Sequence, residues 1–65
     1  MKKLGTIKAY DERGKAHLFE AFHTPQSYYI YLDGAFVRKT KSHWTAIQAI
    51  AAEADKRGYR GRSCA

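Results

Sequence analysis

The segment YYIYLDGAFVRK, residues 28–39, holds the side chains best suited to binding chemistry. Its centre, Asp33-Gly34, lies between two β-prone runs and is typical of a type I′ hairpin, because that turn requires positive φ at both central residues. The simplest register pairs Tyr31 with Phe36 and Tyr29 with Arg38, and side chains alternate between the two faces of a strand. The aromatic and cationic face predicted in this way consists of Tyr29, Tyr31, Phe36 and Arg38.

Three aromatic rings beside a guanidinium group suit single-stranded nucleic acid, because rings stack on bases and cations meet phosphates. Two other interpretations stay open. The rings could form a cross-strand ladder that only stabilises the hairpin, with Arg38 over Tyr29. A protein partner or a second copy of the chain could also cover them.

Basic residues outnumber acidic ones, twelve against six, which gives a net charge of +6 and a pI near 9.7. This balance favours polyanionic partners. The basic residues group just before the expected helix and after it, so we expect phosphate contacts from both groups. The full set of predicted nucleic-acid or partner contacts is Tyr29, Tyr31, Phe36, Arg38, Lys39, Lys41, Lys56, Arg57, Arg60 and Arg62.

Catalytic and metal-binding patterns are weak. His17 and His23 lie about 20 Å apart on one expected strand, so they cannot share a metal ion without a sharp bend. His43 and Cys64 stand apart from them. The one plausible acid–base set is His17, Glu20 and His23 with a nearby arginine, a combination suited to a metal-free ribonuclease. We therefore expect no enzyme, no metal and no cofactor.

The single cysteine rules out a disulfide within the chain and fits a reducing cytoplasm. Apolar runs are far shorter than the ~20 residues that span a bilayer, and no signal-peptide core follows the first residues. The sequence predicts a cytoplasmic protein with no membrane segment.

The elements that position these residues follow from periodicity. Strands are expected near residues 3–10, 15–23, 28–32 and 35–40, and a helix should begin at the N-cap Ser42 and stop at Gly58. This order predicts an α+β fold, an antiparallel β-meander of three or four strands with one C-terminal helix packed on one face. The domain should cover residues 1–58, with a mobile basic tail at 59–65.

The expected core joins a helix stripe of Trp44, Ile47, Ile50 and Ala54 to the aliphatic face of the hairpin. Two arrangements of the second strand stay open. Leu18 and Phe22 could face inward with Glu20, or Phe19 and Ala21 could do so with His17 and His23 at the flanks. Ala49 and Ala52 should lie on the opposite side of the helix, where a second interface or a homodimer contact could form.

Residues 28–54 resemble the last hairpin and helix of three-stranded-sheet DNA-binding domains, found in AP2-type transcription factors and in the arm-binding domains of phage and transposon integrases. The likeness lies in YYIYL, GAFVRKT and WTAIQAIAAEA. It implies insertion of the sheet into the major groove. The contacts it implies are Tyr29, Tyr31, Arg38 and Lys39.

The small, basic, single-domain format is also similar to that of phage and plasmid accessory proteins. We therefore expect a nucleic-acid-binding regulator or accessory protein. The alternative is a protein-interaction module, such as an anti-CRISPR-like phage inhibitor of host nucleic-acid machinery, that docks on a nucleic-acid-processing protein.

Overall fold

The computed structural model describes the backbone of residues 2–64 and the side chains of residues 2–61. Its strands form one antiparallel sheet in the order β4-β3-β2-β1-β5, with one helix packed on it, so the predicted α+β class and meander are confirmed. The sheet has five strands, one more than the largest number expected. The elements are β1 (Lys2–Tyr10), β2 (Ala16–His23), β3 (Tyr28–Leu32), β4 (Ala35–Thr40), α1 (His43–Lys56) and β5 (Arg60–Cys64).

The fifth strand lies where a mobile tail was expected, so that prediction is wrong. Helix α1 ends in a Schellman motif, in which Gly58 takes a φ of 76° and the Tyr59 N–H donates to the Ala54 carbonyl at 2.9 Å. This reversal returns the chain to the free edge of β1, where Arg60–Cys64 pair with it antiparallel. Pairing with β1, rather than any β propensity of residues 60–64, gives this segment its strand conformation.

The β3–β4 hairpin has the expected turn but a different register. Asp33 and Gly34 take φ values of 51° and 86°, as a type I′ turn requires. Tyr31 pairs with Phe36 as predicted, and a β-bulge then leaves Val37 without a partner. The predicted pair of Tyr29 with Arg38 is therefore wrong. The observed pairs beyond the bulge are Ile30 with Arg38, Tyr29 with Lys39 and Tyr28 with Thr40.

The core lies between α1 and one face of the sheet. Phe19 and Ile30 are its largest fully buried side chains, which decides the open question for β2 in favour of Phe19 and Ala21. Small residues surround these two, so the helix can approach the sheet closely. The remaining buried apolar residues are Ala9, Ala21, Ala46, Ala49, Ile50 and Ala54.

Helix α1 is rotated from the expected orientation. Trp44 is 66% exposed and Ile47 45% exposed, so their placement in the core was wrong. Ala49, expected on the free side, is buried. The buried stripe of α1 is rich in alanine, and these small side chains let the helix approach the sheet closely. The N-cap prediction is confirmed, since Ser42 and Thr45 form a capping box.

A buried carboxylate joins the helix to the hairpin. Glu53, with a side chain only 12% exposed, accepts from Arg57 at 2.6 Å and from Arg38 at 3.4 Å. The hydrogen bond from Arg57 lowers the pKa of the Glu53 carboxyl, and the nearby charges add to this. The bulge makes the second contact possible because it turns Arg38 to the helix side of the sheet.

Within the described residues, no helix combines the length and the apolar character needed to cross a membrane.

The orientation of α1 can be tested with two substitutions. Ile50→Val should lower the free energy of unfolding by about 0.5–1.5 kcal/mol because it removes a buried methylene. Trp44→Ala removes a far larger side chain but should change it by less than about 0.5 kcal/mol, as is usual for exposed positions. Urea unfolding followed by far-UV circular dichroism measures both. A larger loss for Trp44→Ala would contradict the orientation.

Candidate functional site

The face of the sheet away from α1, here called the open face, carries a continuous group of four aromatic side chains. Strand alternation places them there from three neighbouring strands. We name this group the aromatic patch. Its members are Phe22, Tyr29, Tyr31 and Phe36.

The rings of the patch lie against one another, and two of the three pairs are edge to face. Phe22 and Tyr31 have centroids 5.4 Å apart at 84°, and Tyr31 and Phe36 lie 5.7 Å apart at 70°. Tyr29 lies 6.1 Å from Phe36. Phe36 is 54% exposed, and the other three rings are half-buried. The cross-strand ladder anticipated from the sequence therefore exists, and it leaves ring surface exposed to solvent.

Cations accompany the rings on the open face. Lys39 Nζ lies 5.7 Å from the centroid of the Tyr29 ring, the position predicted for Arg38. Lys8 lies on the same face beside Leu18. Lys3 is paired with Glu20 at 2.9 Å, which balances the charge of that lysine.

The structure divides the predicted contact residues into several groups. Tyr29, Tyr31, Phe36 and Lys39 lie together on the open face. Arg38 faces the helix side, and Lys41 follows β4 at the start of α1. Lys56 and Arg57 lie at the other end of the helix, and Arg60 lies at the far edge of the sheet on β5. The backbone of Arg62 belongs to β5, and its side chain is outside the described side chains.

Phe22 is the member of the site that the sequence left undecided. Glu20, two residues before Phe22 on the same face of β2, indicates that this face is not buried, because a carboxylate under the helix would need a buried partner. Placing Glu20 outward turns Phe22 outward with it, onto the open face beside Tyr31.

A second cluster lies at one end of the sheet, around His17. Its Nδ1 is 2.8 Å from Asp33 Oδ2 and its Nε2 is 3.0 Å from Asp11 Oδ2. Carboxylates only accept, so the doubly protonated imidazolium satisfies both contacts. The Tyr59 ring stacks on the imidazole at 4.4 Å and 8°. The cluster thus ties two turns and the exit of the helix together.

These contacts set the charge states of the cluster. Hydrogen bonds first to Asp11 and then to Asp33 raise the pKa of His17. The pKa of Asp11 is lowered mainly by its bond to His17, and that of Asp33 by the backbone N–H of Leu18 and then by His17. Both ring nitrogens of His17 are thus occupied by carboxylates.

The proposed acid–base set is not assembled. His17 faces the helix side, while Glu20 is on the open face with Lys3. His23 stacks on Tyr28 at 5.6 Å. Among the side chains that the structure describes, no group of three or more His, Cys, Asp or Glu is placed to hold a metal ion.

Comparison with models of protein families, with curated proteins and with solved structures finds no match.

The His17 cluster predicts a pH dependence of stability. Because the pKa of His17 is raised in the folded state, its protonation stabilises the fold fully at pH values below the ordinary pKa of 6.5. This stabilisation is lost as the pH rises through the folded-state pKa of His17. The pKa values of Asp11 and Asp33 are lowered in the folded state, so these carboxylates stabilise the fold at pH values above 3.8. Their contribution is lost as the pH falls through their folded-state pKa values. The contribution of the cluster is therefore largest between these two limits.

Thermal melting at about pH 5.5 and about pH 8.5 should show this effect, because only the lower value keeps His17 protonated in both states. We expect the melting temperature of the wild type to fall more steeply across this range than that of His17→Gln. Parallel pH profiles for the two proteins would show that the cluster does not titrate as described.

Proposed function

We propose that this protein is a small accessory or regulatory protein that binds single-stranded nucleic acid on the open face of its sheet. The observation that carries the proposal is the aromatic patch, with four rings on a face that α1 leaves uncovered. Lys39 stands at the edge of this patch, where a phosphate would follow a stacked base.

The patch suits unpaired bases. Exposed ring surface on a sheet allows stacking with any base, and each such contact contributes about 1–3 kcal/mol. The overall charge of +6 supplies the long-range attraction to a polyanion. The predicted contacts to Tyr29, Tyr31, Phe36 and Lys39 are retained in this proposal.

A duplex reader is less well supported. Insertion of a sheet into a major groove, as the resemblance to AP2-type and integrase domains implies, requires basic side chains that reach bases and both backbones. The bulge removes Arg38 from that face, and Glu20 neutralises Lys3. The open face that remains is more aromatic than cationic, which favours strands whose bases are free to stack.

Ring removal tests the proposal. Tyr31→Ala and Phe36→Ala should each weaken binding of a fluorescent oligothymidylate or oligouridylate about 5- to 100-fold, since each removes one stacking platform. Tyr31→Phe should bind like the wild type. Trp44→Ala is the matched control, because it deletes an exposed ring from a different surface. Fluorescence anisotropy at low salt measures all four; no binding by the wild type would falsify the proposal.

The salt dependence of oligonucleotide binding separates the contribution of phosphate contacts from that of base stacking. Lys39→Gln should reduce the slope of log K against log[salt] by about 0.7, the value for one phosphate contact on a single strand. Lys15→Gln, which removes an exposed charge from the β1–β2 turn, should leave the slope closer to that of the wild type. Equal slopes for Lys39→Gln and the wild type would mean that Lys39 contacts no phosphate.

A different surface favours the protein-interaction alternative. A groove of about 380 Å³ between β1 and α1 is lined largely by apolar residues, including Leu4, Ile47 and Ile50. Trp44 stands near it on α1, and an exposed tryptophan is a frequent hot spot of protein interfaces. This second candidate is an inhibitor or adaptor of nucleic-acid-processing proteins, as small phage proteins can be.

Nuclease-treated lysate distinguishes this candidate from the first. A stoichiometric protein partner retained by the wild type and by Tyr31→Ala, but lost with Trp44→Ala, would support it. Loss of the partner with Tyr31→Ala instead would place the protein contact on the aromatic patch. No retained partner would count against this candidate.

A further inference from the structure

A second basic surface lies beside the open face, in a groove between β4 and α1. Its volume is about 420 Å³. Three of its lining residues are basic, the side-chain amide of Gln48 can donate hydrogen bonds, and two alanines form its helix wall. Its lining residues include Arg38, Lys39, Lys41, Gln48, Ala49 and Ala52.

The charge of this groove is positive. No carboxylate is among the lining residues. Glu53 lies behind it and accepts from one terminal nitrogen of Arg38 at 3.4 Å, while its closer contact, at 2.6 Å, is with Arg57. The Arg38 side chain is 49% exposed, and a guanidinium has five N–H donors, so donors remain for an anion in the groove.

The groove and the aromatic patch meet at β4. Lys39 belongs to both, since it lines the groove and also lies over the Tyr29 ring. Arg38, its neighbour, turns to the helix side because of the bulge at Val37. β4 is an edge strand of the sheet, so within residues 2–64 no further strand separates the two surfaces at that edge.

We infer that a single strand bound on the aromatic patch continues around the β4 edge and lays its sugar–phosphate backbone in this groove. The inference rests on the function proposed above and adds the path of the strand. Bases stack on the open face, and phosphates of the following nucleotides meet Lys39, Arg38 and Lys41 in turn. The small side chains of Ala49 and Ala52 leave the width that a backbone needs.

The groove fits a nucleic-acid backbone better than a peptide strand. A peptide added to the β4 edge would need a regular row of backbone donors and acceptors. The bulge at Val37 interrupts that row, and lysines at an edge oppose strand addition. The attraction to a polyphosphate needs no such row, because it depends on the cations alone.

Substitutions at Gln48 test the path without touching the core, the cap or the patch. Gln48 is exposed on α1, and Gln48→Glu places one carboxylate among the cations of the groove. Gln26→Glu is the matched control, since the same charge change occurs at an exposed position in the β2–β3 turn, outside both surfaces. Gln48→Lys adds a cation at the same place.

Oligothymidylates of about 4 and about 12 nucleotides provide a short strand for the patch alone and a long one that reaches the groove. Gln48→Glu should weaken binding of the long strand about three- to fivefold, as expected for one partly exposed charge contact, and leave the short strand unchanged. Gln48→Lys should tighten the long strand by a similar factor. Gln26→Glu should bind both strands like the wild type.

Three results would overturn the inference. If Gln48→Glu and Gln26→Glu behave alike at both lengths while the wild type binds, the strand does not enter the groove and the proposed function stands. If a polyglutamate peptide displaces the long strand at equal charge concentration, the groove is a general acidic-peptide site. If the wild type binds neither strand, the proposed function fails together with the inference.

Discussion

The bulge at Val37 is the constraint on which the surfaces of this protein depend. One unpaired residue in β4 reverses the facing of every side chain after it, because alternation has a period of two. Arg38 consequently reaches Glu53 beneath the helix, and Lys39 takes the place over Tyr29. In a hairpin without the bulge, the Arg38 guanidinium would lie among the rings of the aromatic patch, and Glu53 would pair with Arg57 only.

Helix α1 packs on the sheet so that Glu53 lies against the hairpin. Glu53 is buried and needs its cations, and the alanines around it let the helix approach β3 and β4 closely. This orientation fills the core with Phe19, Ile30 and small residues. It also leaves Trp44 and Ile47 outside, while the opposite face of the sheet stays uncovered. The two candidate surfaces, one aromatic and one apolar, are therefore consequences of one packing arrangement.

The sequence predicts correctly those features of the fold that depend on interactions within a few residues. The Asp33-Gly34 turn, the Ser42 cap, the stop at Gly58 and the α+β class all follow from such signals. The bulge at Val37, the alanine packing stripe and β5 depend on contacts between distant segments, which no local pattern encodes. Four of the predicted contact residues share the open face: Tyr29, Tyr31, Phe36 and Lys39. Arg38 was predicted on that face, but a single-residue shift in register places it on the helix side. Phe22 was undecided because either face of β2 could be buried.

The most direct test is a titration of isotopically labelled protein with a short oligothymidylate, followed by NMR of the aromatic side chains. Binding on the aromatic patch should shift the ring signals of Phe22, Tyr29, Tyr31 and Phe36 together, while the signals of the Trp44 indole and the Ile47 methyl groups stay in place. Shifts confined to Trp44 and Ile47, or no shifts at saturating strand, would contradict it.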